Sequence, residues 1–324
     1  MSRPIPVGVI GVGSMGENHA RIYQELPTAD LVGVADEAPA RAEAIADRFG
    51  TTALPTEALI DRATAISIAV PTARHAAIAR RCLEAGVHVL LEKPFVDDRK
   101  EGEALIQQAA EADLVLQVGH VERFNPAITA LAELLEGTSI IACTAARLGP
   151  PTDRSLADDV VLDLMIHDLD VVAMLVDEDP SIVSARGTKQ GDYVSALLGF
   201  PGETVATLTA SRVTQRKVRR LAVTTTDRHI EVDYLDQSVE IHRRSRPGYR
   251  NDGSTDIRHR QEQIIERPLI NSAEPLKLEL TAFLETIDTQ RAPRVSGEDG
   301  LQALSMVDAV RDAMVEESLE VGSL

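Results

Sequence analysis

Two short groups of residues carry side chains that could move a proton and stabilise a negative charge. Asp163 and His167 lie four residues apart in the segment Ser155–Val176, where apolar residues recur at helical spacing. Histidine titrates near neutrality and can take a hydroxyl proton, while a carboxylate one turn away can orient the ring. Lys93 follows a predicted strand in Glu92-Lys93-Pro94 and could stabilise a developing oxyanion.

A solvated helix face is the alternative reading of the acidic and histidine side chains. Asp163, His167 and Asp170 fall on one side of the predicted helix, at i, i+4 and i+7. The apolar positions of that helix are Val161, Leu164, Met165, Val172 and Leu175. Because the helix is apolar almost all round, we expect its polar side to line a cleft.

A glycine-rich turn near the N-terminus predicts the partner for this chemistry. Gly11-Val12-Gly13-Ser14-Met15-Gly16 follows an apolar run that reads as a strand and precedes a helical stretch. Gly11 permits the tight turn, Gly13 the approach of a pyrophosphate, and Gly16 close packing of helix on strand. Free N–H groups at the helix start, including those of Ser14 and Met15, would bind the phosphates.

The second predicted strand ends in an acid that bears on the choice of dinucleotide. Asp36 lies about 20 residues after Gly16, where a carboxylate can accept hydrogen bonds from the adenosine ribose hydroxyls. It would repel a 2′-phosphate, and no arginine follows it directly. We therefore expect NAD rather than NADP; the alternative is that Asp36 is a solvated strand end.

The next two strand ends add further candidates. The run 65–70 ends in Val70-Pro71-Thr72, from which Thr72 could reach a cofactor ribose or phosphate. His75 opens the following helix and is either a cofactor contact or a plain helix-start residue. Glu92 and Lys93 end the fourth strand, at the edge where open α/β sheets bind ligands.

With a nicotinamide as hydride acceptor, three side chains meet the needs of an alcohol dehydrogenase without metal. His167 would take the alcohol proton, Asp163 would support the imidazolium, and Lys93 would stabilise alkoxide character. No cluster of cysteine, histidine and glutamate with zinc spacing competes with this interpretation.

The chain is long enough for two domains, and its patterns divide near residue 120. Residues 1–120 alternate strands and helices, which predicts a doubly wound parallel sheet of the Rossmann type. Residues 121–324 predict a substrate-binding α+β domain with a large open, mainly antiparallel sheet. Its predicted elements are a helix at 126–135, a strand at 140–147, an antiparallel meander over 182–243, and a helix at 301–315 that can pack back on the first domain.

Composition narrows the partners and the compartment. A formal net charge of −18 over 324 residues argues against nucleic acid as a partner. Without an apolar run of membrane-spanning length or a signal peptide, we expect a soluble, cytoplasmic protein with no membrane partner. Cys82 and Cys143 have neither metal-ligand nor disulfide company, which suits a reducing compartment.

The segment Arg243–Arg260 is rich in arginine. Arginine forks suit diphosphate or carboxylate groups, so substrate binding is one interpretation. The alternatives are a surface loop and an arm that contacts another subunit.

Together these motifs resemble the glucose–fructose oxidoreductase, inositol dehydrogenase and rhizopine-catabolism (Gfo/Idh/MocA) family of oxidoreductases. The resemblance rests on the glycine motif 11–16, Val70-Pro71-Thr72 with His75, Glu92-Lys93-Pro94, and Asp163-x-x-x-His167-Asp168. It implies that Lys93, Asp163 and His167 form the catalytic group, and that the Lys93–Pro94 peptide is cis. It also implies a homodimer or homotetramer formed through the exposed face of the second sheet.

Within that family the chain is most similar to members that act on nucleotide sugars. The likeness lies in the stretches 119–126, 210–214 and 232–234, and is greatest to UDP-N-acetylglucosamine 3-dehydrogenases. It makes His120 and Arg123 candidate substrate contacts, although a structural salt bridge is the alternative for Arg123. Two other functions stay open: a dehydrogenase of a free polyol such as inositol, and, more remotely, a non-catalytic NAD-binding regulator.

Overall fold

The computed structural model describes residues 3–151, 159–180, 182–244 and 263–321. Its strands are β1 (Ile5–Ile10), β2 (Ala29–Ala35), β3 (Ala65–Ile68), β4 (His88–Glu92), β5 (Leu116–Gly119), β6 (Ile140–Leu148), β7 (Ile182–Gly187), β8 (Tyr193–Gly199), β9 (Val205–Ser211), β10 (Val218–Thr225), β11 (Arg228–Asp233), β12 (Ser238–Arg244) and β13 (Gln263–Glu266). Its α-helices are α1 (Ser14–Glu25), α2 (Pro39–Phe49), α3 (Thr56–Ile60), α4 (His75–Glu84), α5 (Arg99–Glu111), α6 (Pro126–Leu135), α7 (Ile166–Val176), α8 (Pro275–Thr289) and α9 (Gly297–Val321).

The chain divides into two compact units that do not follow a single cut. The first unit is Met1–Phe124 with Ala273–Ser305, and the second is Asn125–Ser272 with Met306–Leu324. The prediction placed one boundary at residue 120, whereas the chain returns to the first unit for α8 and the start of α9. The predicted C-terminal helix is present and longer than expected, since it runs from Gly297 to Val321.

The first unit is built on a parallel sheet whose described strands lie in the order β2-β1-β3-β4-β5. Their runs are almost continuously apolar, as parallel strands covered on both faces require. Ser67 on β3 aligns with Val9 on β1 and with Leu90 on β4. The order reverses between β1 and β3, so the crevice outside the carboxyl ends of these strands is where such sheets bind ligands.

The sequence analysis missed α8, although its pattern was present. Pro275 occupies the first turn, and Leu276, Leu280 and Phe283 follow at helical spacing. All three are buried in the same core as β1 and α1. This spacing buries one face of α8, which packs against α1.

The second unit contains a mostly antiparallel sheet, with described strands in the order β13-β12-β11-β10-β6-β9-β8-β7. The predicted meander is wrong at one point, because β9 does not pair with β10. Instead β6 lies between them, antiparallel to β10 and parallel to β9. Short turns at 200–203, 226–227 and 235–237 separate β8 from β9, β10 from β11, and β11 from β12.

One face of this second sheet is buried under α6 and α7, and the other is exposed. The exposed face carries both apolar and polar side chains. Tyr193, Leu197 and Val205 are 41–49% exposed, and Ser195 and Thr209 share a hydrogen bond of 3.0 Å between their hydroxyls.

Both cysteines, Cys82 and Cys143, are buried thiols, and burial raises the pKa of each to about 12.

In the described part of the chain, no helix combines the length and the apolar character needed to cross a membrane.

The burial of His88 makes the stability of the first unit depend on pH. Burial lowers the pKa of His88, partly offset by Asp113, and the backbone N–H of Val115 donates to its Nδ1 over 2.9 Å. The unfolded chain therefore binds this proton more readily, so the stabilisation is present above the unfolded-state pKa and is lost as the pH falls below it. We expect thermal melts to show a Tm that falls from pH 8 to pH 5.

His88→Asn is the variant that tests this assignment. Its amide oxygen can still accept from Val115 and does not titrate, so the fall in Tm should be shallower than in the native chain. A pH dependence identical to the native one would contradict the role of His88.

Candidate active site

The glycine turn after β1 fits a tightly bound dinucleotide. Gly11 has φ +85°, and a Cβ there would lie 2.6 Å from the carbonyl oxygen of Ala69. A Cβ at Gly16 would lie 1.8 Å from the carbonyl oxygen of Gly11, so the first turn of α1 packs directly on the backbone of the glycine turn. At Gly13 a Cβ would meet nothing within 4 Å, which leaves the open approach that a diphosphate needs.

The start of α1 is available to an anion. Gly13 caps the helix without a side-chain hydrogen bond, and Ser14 and Met15 are exposed. The first N–H groups of a helix have no intrahelical acceptors, and the helix dipole is positive at this end. Both properties favour the phosphates of the predicted cofactor.

Asp36 lies at the end of β2 and faces the glycine turn. Its carboxylate accepts hydrogen bonds of 2.9 Å from the backbone N–H groups of Val12 and Ala38. Arg41, on α2, places Nη1 3.2 Å from Asp36 Oδ1. No arginine follows Asp36 directly in the sequence, and this partner, five residues further on, was not predicted.

These elements enclose a cavity of about 410 Å³ at the carboxyl ends of β1, β2 and β3. Its lining includes Gly11, Gly13, Asp36, Val70 and Pro71, which were all predicted from the sequence, together with Arg41 and Arg74. The carboxylate of Asp36 suits a ribose, the apolar walls suit a base, and the glycine backbone suits a phosphate chain. The residues present therefore fit a nicotinamide dinucleotide.

Thr72 and His75 lie beyond β3 in different roles. Thr72 is half-buried and opens a 3₁₀ turn, Thr72–Arg74. His75 is 1% exposed, and its ring faces backbone carbonyl oxygens: Nε2 lies 2.9 Å from that of Val70 and Nδ1 3.0 Å from that of Pro94. These contacts give His75 a part in joining two loops.

The strand end that carries Lys93 is held from inside the unit. Glu92 is buried and bonds to His19 on α1, with 2.9 Å between Oε1 and Nε2. Lys93 itself is half-buried, and the peptide between Lys93 and Pro94 is cis, which confirms that prediction.

His120 and Arg123 follow β5 and are both buried. Arg123 Nη1 lies 3.0 Å from Asp299 Oδ1 at the start of α9, within the same unit. This ion pair favours the structural alternative that the sequence left open for Arg123.

In the second unit, the segment that carries Asp163 is not a regular α-helix. Val161–Met165 forms a π-helical turn that leads into α7, which contains His167. Asp159 caps this turn: its Oδ1 accepts 3.0 Å hydrogen bonds from the N–H groups of Val161 and Leu162, and its Oδ2 pairs with Arg311 at 2.9 Å. Turns of the π type occur frequently at functional sites.

Asp163 and His167 are both half-buried, whereas Asp170 is 1% exposed and is thus a core residue. The predicted row of three polar side chains is therefore wrong for Asp170. Arg212, at the end of β9, places Nη2 3.6 Å from Asp163 Oδ2 and Nε 3.9 Å from Asp192 Oδ1. Arg212 thus lies between two carboxylates and limits the directions in which Asp163 can turn.

A buried ion pair fixes the residue next to His167. Arg147 on β6 meets Asp168 through two hydrogen bonds of 2.8 and 2.9 Å, and both side chains are nearly inaccessible. The guanidinium also lies 5.1 Å from the ring centre of Tyr234. A bidentate pair of this kind holds α7 at a fixed distance from the sheet.

The sequence analysis missed four residues that support the predicted ones: His19, Arg41, Arg147 and Arg212. Only the position of Arg212 carried a signal, because it lies in the stretch 210–214 that had marked the nucleotide-sugar likeness. Of the arginine-rich segment 243–260, all but residues 243 and 244 lies outside the described residues, as does the part 155–158 of the predicted catalytic helix. Among the described residues, no group of three or more histidine, cysteine and acidic side chains could hold a metal ion.

Asp36 is expected to favour NAD over NADP. Asp36→Ala removes the acceptor for the ribose hydroxyls and frees Arg41 towards a 2′-phosphate, so the preference for NAD should narrow by about 10-fold or more. Dissociation constants for both cofactors, from the fluorescence of their reduced forms, measure this. The double variant Asp36→Ala/Arg41→Ala is the control. It should bind NAD as weakly as Asp36→Ala does, and its affinity for NADP should not be increased. A native protein that binds NADP better than NAD would contradict this role of Asp36.

The sequence matches one known protein family in both of its parts. Residues 5–120 match the model of an oxidoreductase family with an NAD-binding Rossmann fold, and residues 152–321 match that family's C-terminal alpha/beta domain.

Individual relatives are similar over nearly the whole chain. UDP-N-acetylglucosamine 3-dehydrogenase from Acidithiobacillus ferrooxidans is 37% identical over 95% of this chain and 96% of its own length. A solved structure of that enzyme has a TM-score of 0.87, covering 96% of this chain and 98% of the other. Inositol 2-dehydrogenase from Rhizobium meliloti is 26% identical, over 96% of this chain and 97% of its own. The chain thus belongs to the Gfo/Idh/MocA family of oxidoreductases and is an NAD-binding dehydrogenase.

Proposed function

We propose that this dehydrogenase oxidises C3 of a UDP-N-acetyl sugar, UDP-N-acetylglucosamine in the first instance, to the 3-ketone. The observation that carries the proposal is the likeness to the Acidithiobacillus enzyme across almost the full length of both chains. The cavity at Gly11, Asp36 and Val70 supports it, because it suits the cofactor of such a reaction.

The reaction converts a secondary alcohol and NAD into a ketone, the reduced cofactor and a proton. NAD, when bound, supplies the acceptor for the hydride from C3. In our proposal His167 takes the hydroxyl proton, which lets the electron pair of the C–H bond leave as hydride. The ammonium of Lys93 stabilises the oxygen while it carries alkoxide character.

Asp163 supports the imidazolium that His167 becomes. Its carboxylate is held by Arg212 at 3.6 Å, so it is oriented before the substrate arrives. His120 and Arg123 stay predictions as substrate contacts, with the pair Arg123–Asp299 favouring a structural role for the arginine. His75 acts in this proposal by tying loops together through its contacts with Val70 and Pro94.

A panel of substrates tests the proposed reaction. UDP-N-acetylglucosamine, its C4 epimer, UDP-glucose and free inositols are offered with NAD, and the absorbance of the reduced cofactor is followed. We expect turnover with a UDP-N-acetyl sugar and a product whose ketone is at C3 by NMR. Turnover of inositol alone would favour the polyol alternative, and NAD binding without turnover of any substrate would favour the regulator.

The catalytic roles predict a graded set of losses. His167→Ala should lower kcat by about 10²–10⁴-fold, because a positioned general base is removed. Asp163→Asn should impair turnover less, and Lys93→Met at least as much as His167→Ala. NAD affinity should stay nearly unchanged in His167→Ala, since the glycine turn and Asp36 lie in the other unit. Turnover of His167→Ala within a few-fold of native, with the true substrate, would exclude this mechanism.

We also propose that the protein is a cytoplasmic homodimer or homotetramer that associates through the exposed face of the second sheet. Tyr193, Leu197 and Val205 give this face an apolar part, and large exposed patches are rare in monomers. Light scattering should report an oligomer at micromolar concentration, and Leu197→Glu should dissociate it. Leu235→Glu, at an equally exposed turn residue, is the matched control and should not. A monomer in the native protein would contradict this assembly.

A further inference from the structure

A buried histidine lies behind the strand end that carries Lys93. His19, on α1, is 0% exposed, and its Nε2 lies 2.9 Å from Glu92 Oε1. Because a carboxylate only accepts hydrogen bonds, the imidazole N–H is the donor. The other oxygen of Glu92 lies 3.3 Å from the backbone nitrogen of Lys93, which donates to it. His19 is thus connected to Lys93 through one carboxylate.

The carboxylate of Glu92 is tightly enclosed by its neighbours. Glu92 is 7% exposed, and a Cβ at Gly119 on β5 would lie 3.2 Å from both its carboxyl carbon and Oε1. A buried carboxylate that loses its partner is strongly destabilised in place and must turn or take up water. The orientation of Glu92, and of the peptide that it accepts from, therefore depends on His19.

A second buried histidine holds the other side of Lys93. His75, the first residue of α4, contacts the carbonyl oxygen of Pro94 at 3.0 Å and that of Val70 at 2.9 Å. The residues immediately before and after Lys93 are thus each held by a histidine that is at most 1% exposed. One histidine belongs to the helix that begins at the glycine turn, and the other to the helix behind β3.

We propose that His19 and His75 are positioning residues for Lys93. They act through Glu92 and Pro94 and fix the backbone from which the lysine side chain extends. The contact of His19 with Glu92 joins that backbone to α1, and His75 lies between Pro94 and Val70, a residue that lines the cofactor cavity. A displacement of about 1 Å of a catalytic group can cost ~10²-fold in rate, so a fixed backbone has direct kinetic value. The inference rests on the proposed role of Lys93 in the oxidation.

The test compares His19→Leu and His75→Leu with a matched control on the same helix. Tyr23→Phe removes another buried hydrogen bond of α1, the one of 2.7 Å between the hydroxyls of Tyr23 and Ser67, and leaves residues 92–94 untouched. Each variant is measured for Tm, for NAD affinity, and for kcat and KM. The primary isotope effect is also measured, with substrate deuterated at the oxidised carbon.

We expect both histidine variants to lower kcat about 10- to 100-fold, with KM and the NAD dissociation constant within about 3-fold of native. The isotope effect should rise because hydride transfer becomes the slow step. His19→Gln, whose amide N–H can donate in place of Nε2, should recover most of kcat. Tyr23→Phe should lower Tm and leave kcat and the isotope effect unchanged.

A histidine variant that loses only Tm, as Tyr23→Phe does, would overturn the proposal for that residue. If His19→Leu does not fold, Glu92→Gln, which has nearly the same shape, replaces it under the same criteria. Lys93→Met is measured in parallel. If it keeps turnover, the proposed role of Lys93 fails; if it alone loses turnover, only the positioning role of the histidines fails.

Discussion

The contact between α1 and the glycine turn that follows β1 is the constraint on which the cofactor end of the molecule depends. A Cβ at Gly16 would lie 1.8 Å from the carbonyl oxygen of Gly11, so the first turn of the helix packs directly on the backbone of the glycine turn. That approach points the free N–H groups of the helix start at the crevice between β1 and β3. It also sets the depth at which His19, farther along the same helix, meets Glu92. One close contact therefore bears on both the predicted phosphate site and the contact behind Lys93.

In the second unit, ion pairs rather than close backbone packing hold the residues around the candidate catalytic side chains. His167 is followed directly by Asp168, whose carboxylate is held by Arg147 under α7, and Asp163 is faced by Arg212. A buried ion pair is weak support for stability in general, but breaking it is costly because one charge is left unpaired. Such a pair therefore fixes geometry even where it adds little free energy. In both units a half-buried candidate group thus lies beside a polar contact within the protein: Glu92–His19 next to Lys93, and Arg147–Asp168 next to His167.

The sequence predicted what local pattern determines. Apolar runs located the strands of the first sheet, and glycine spacing with Asp36 located the cofactor cavity. The pairing of strands that are far apart in the sequence could not be predicted, because nothing in the run that forms β6 indicates that it lies between β10 and β9. The same limit applies to the candidate site: Lys93 was predicted from its place after a strand, whereas nothing in the sequence distinguished His19 from any other polar residue of a helix. Its contact with Glu92 spans 73 residues of chain and exists only once helix and sheet are packed.

In the π-helical turn at Val161–Met165, successive side chains are rotated about the helix axis by a different angle than in α7, which follows it. Each residue of an α-helix advances the side-chain direction by about 100°, and a wider turn advances it by less. The face of α7 that packs on the sheet is set by Leu169 and Val172, but the direction of Asp163 is set separately by the wider turn before it. Val161 and Met165, in the same turn, are fully buried, so the turn stays packed in the core while it sets the direction of Asp163. The segment thus separates the aim of a reactive side chain from the fit of the core, two requirements that a uniform helix would have to satisfy together.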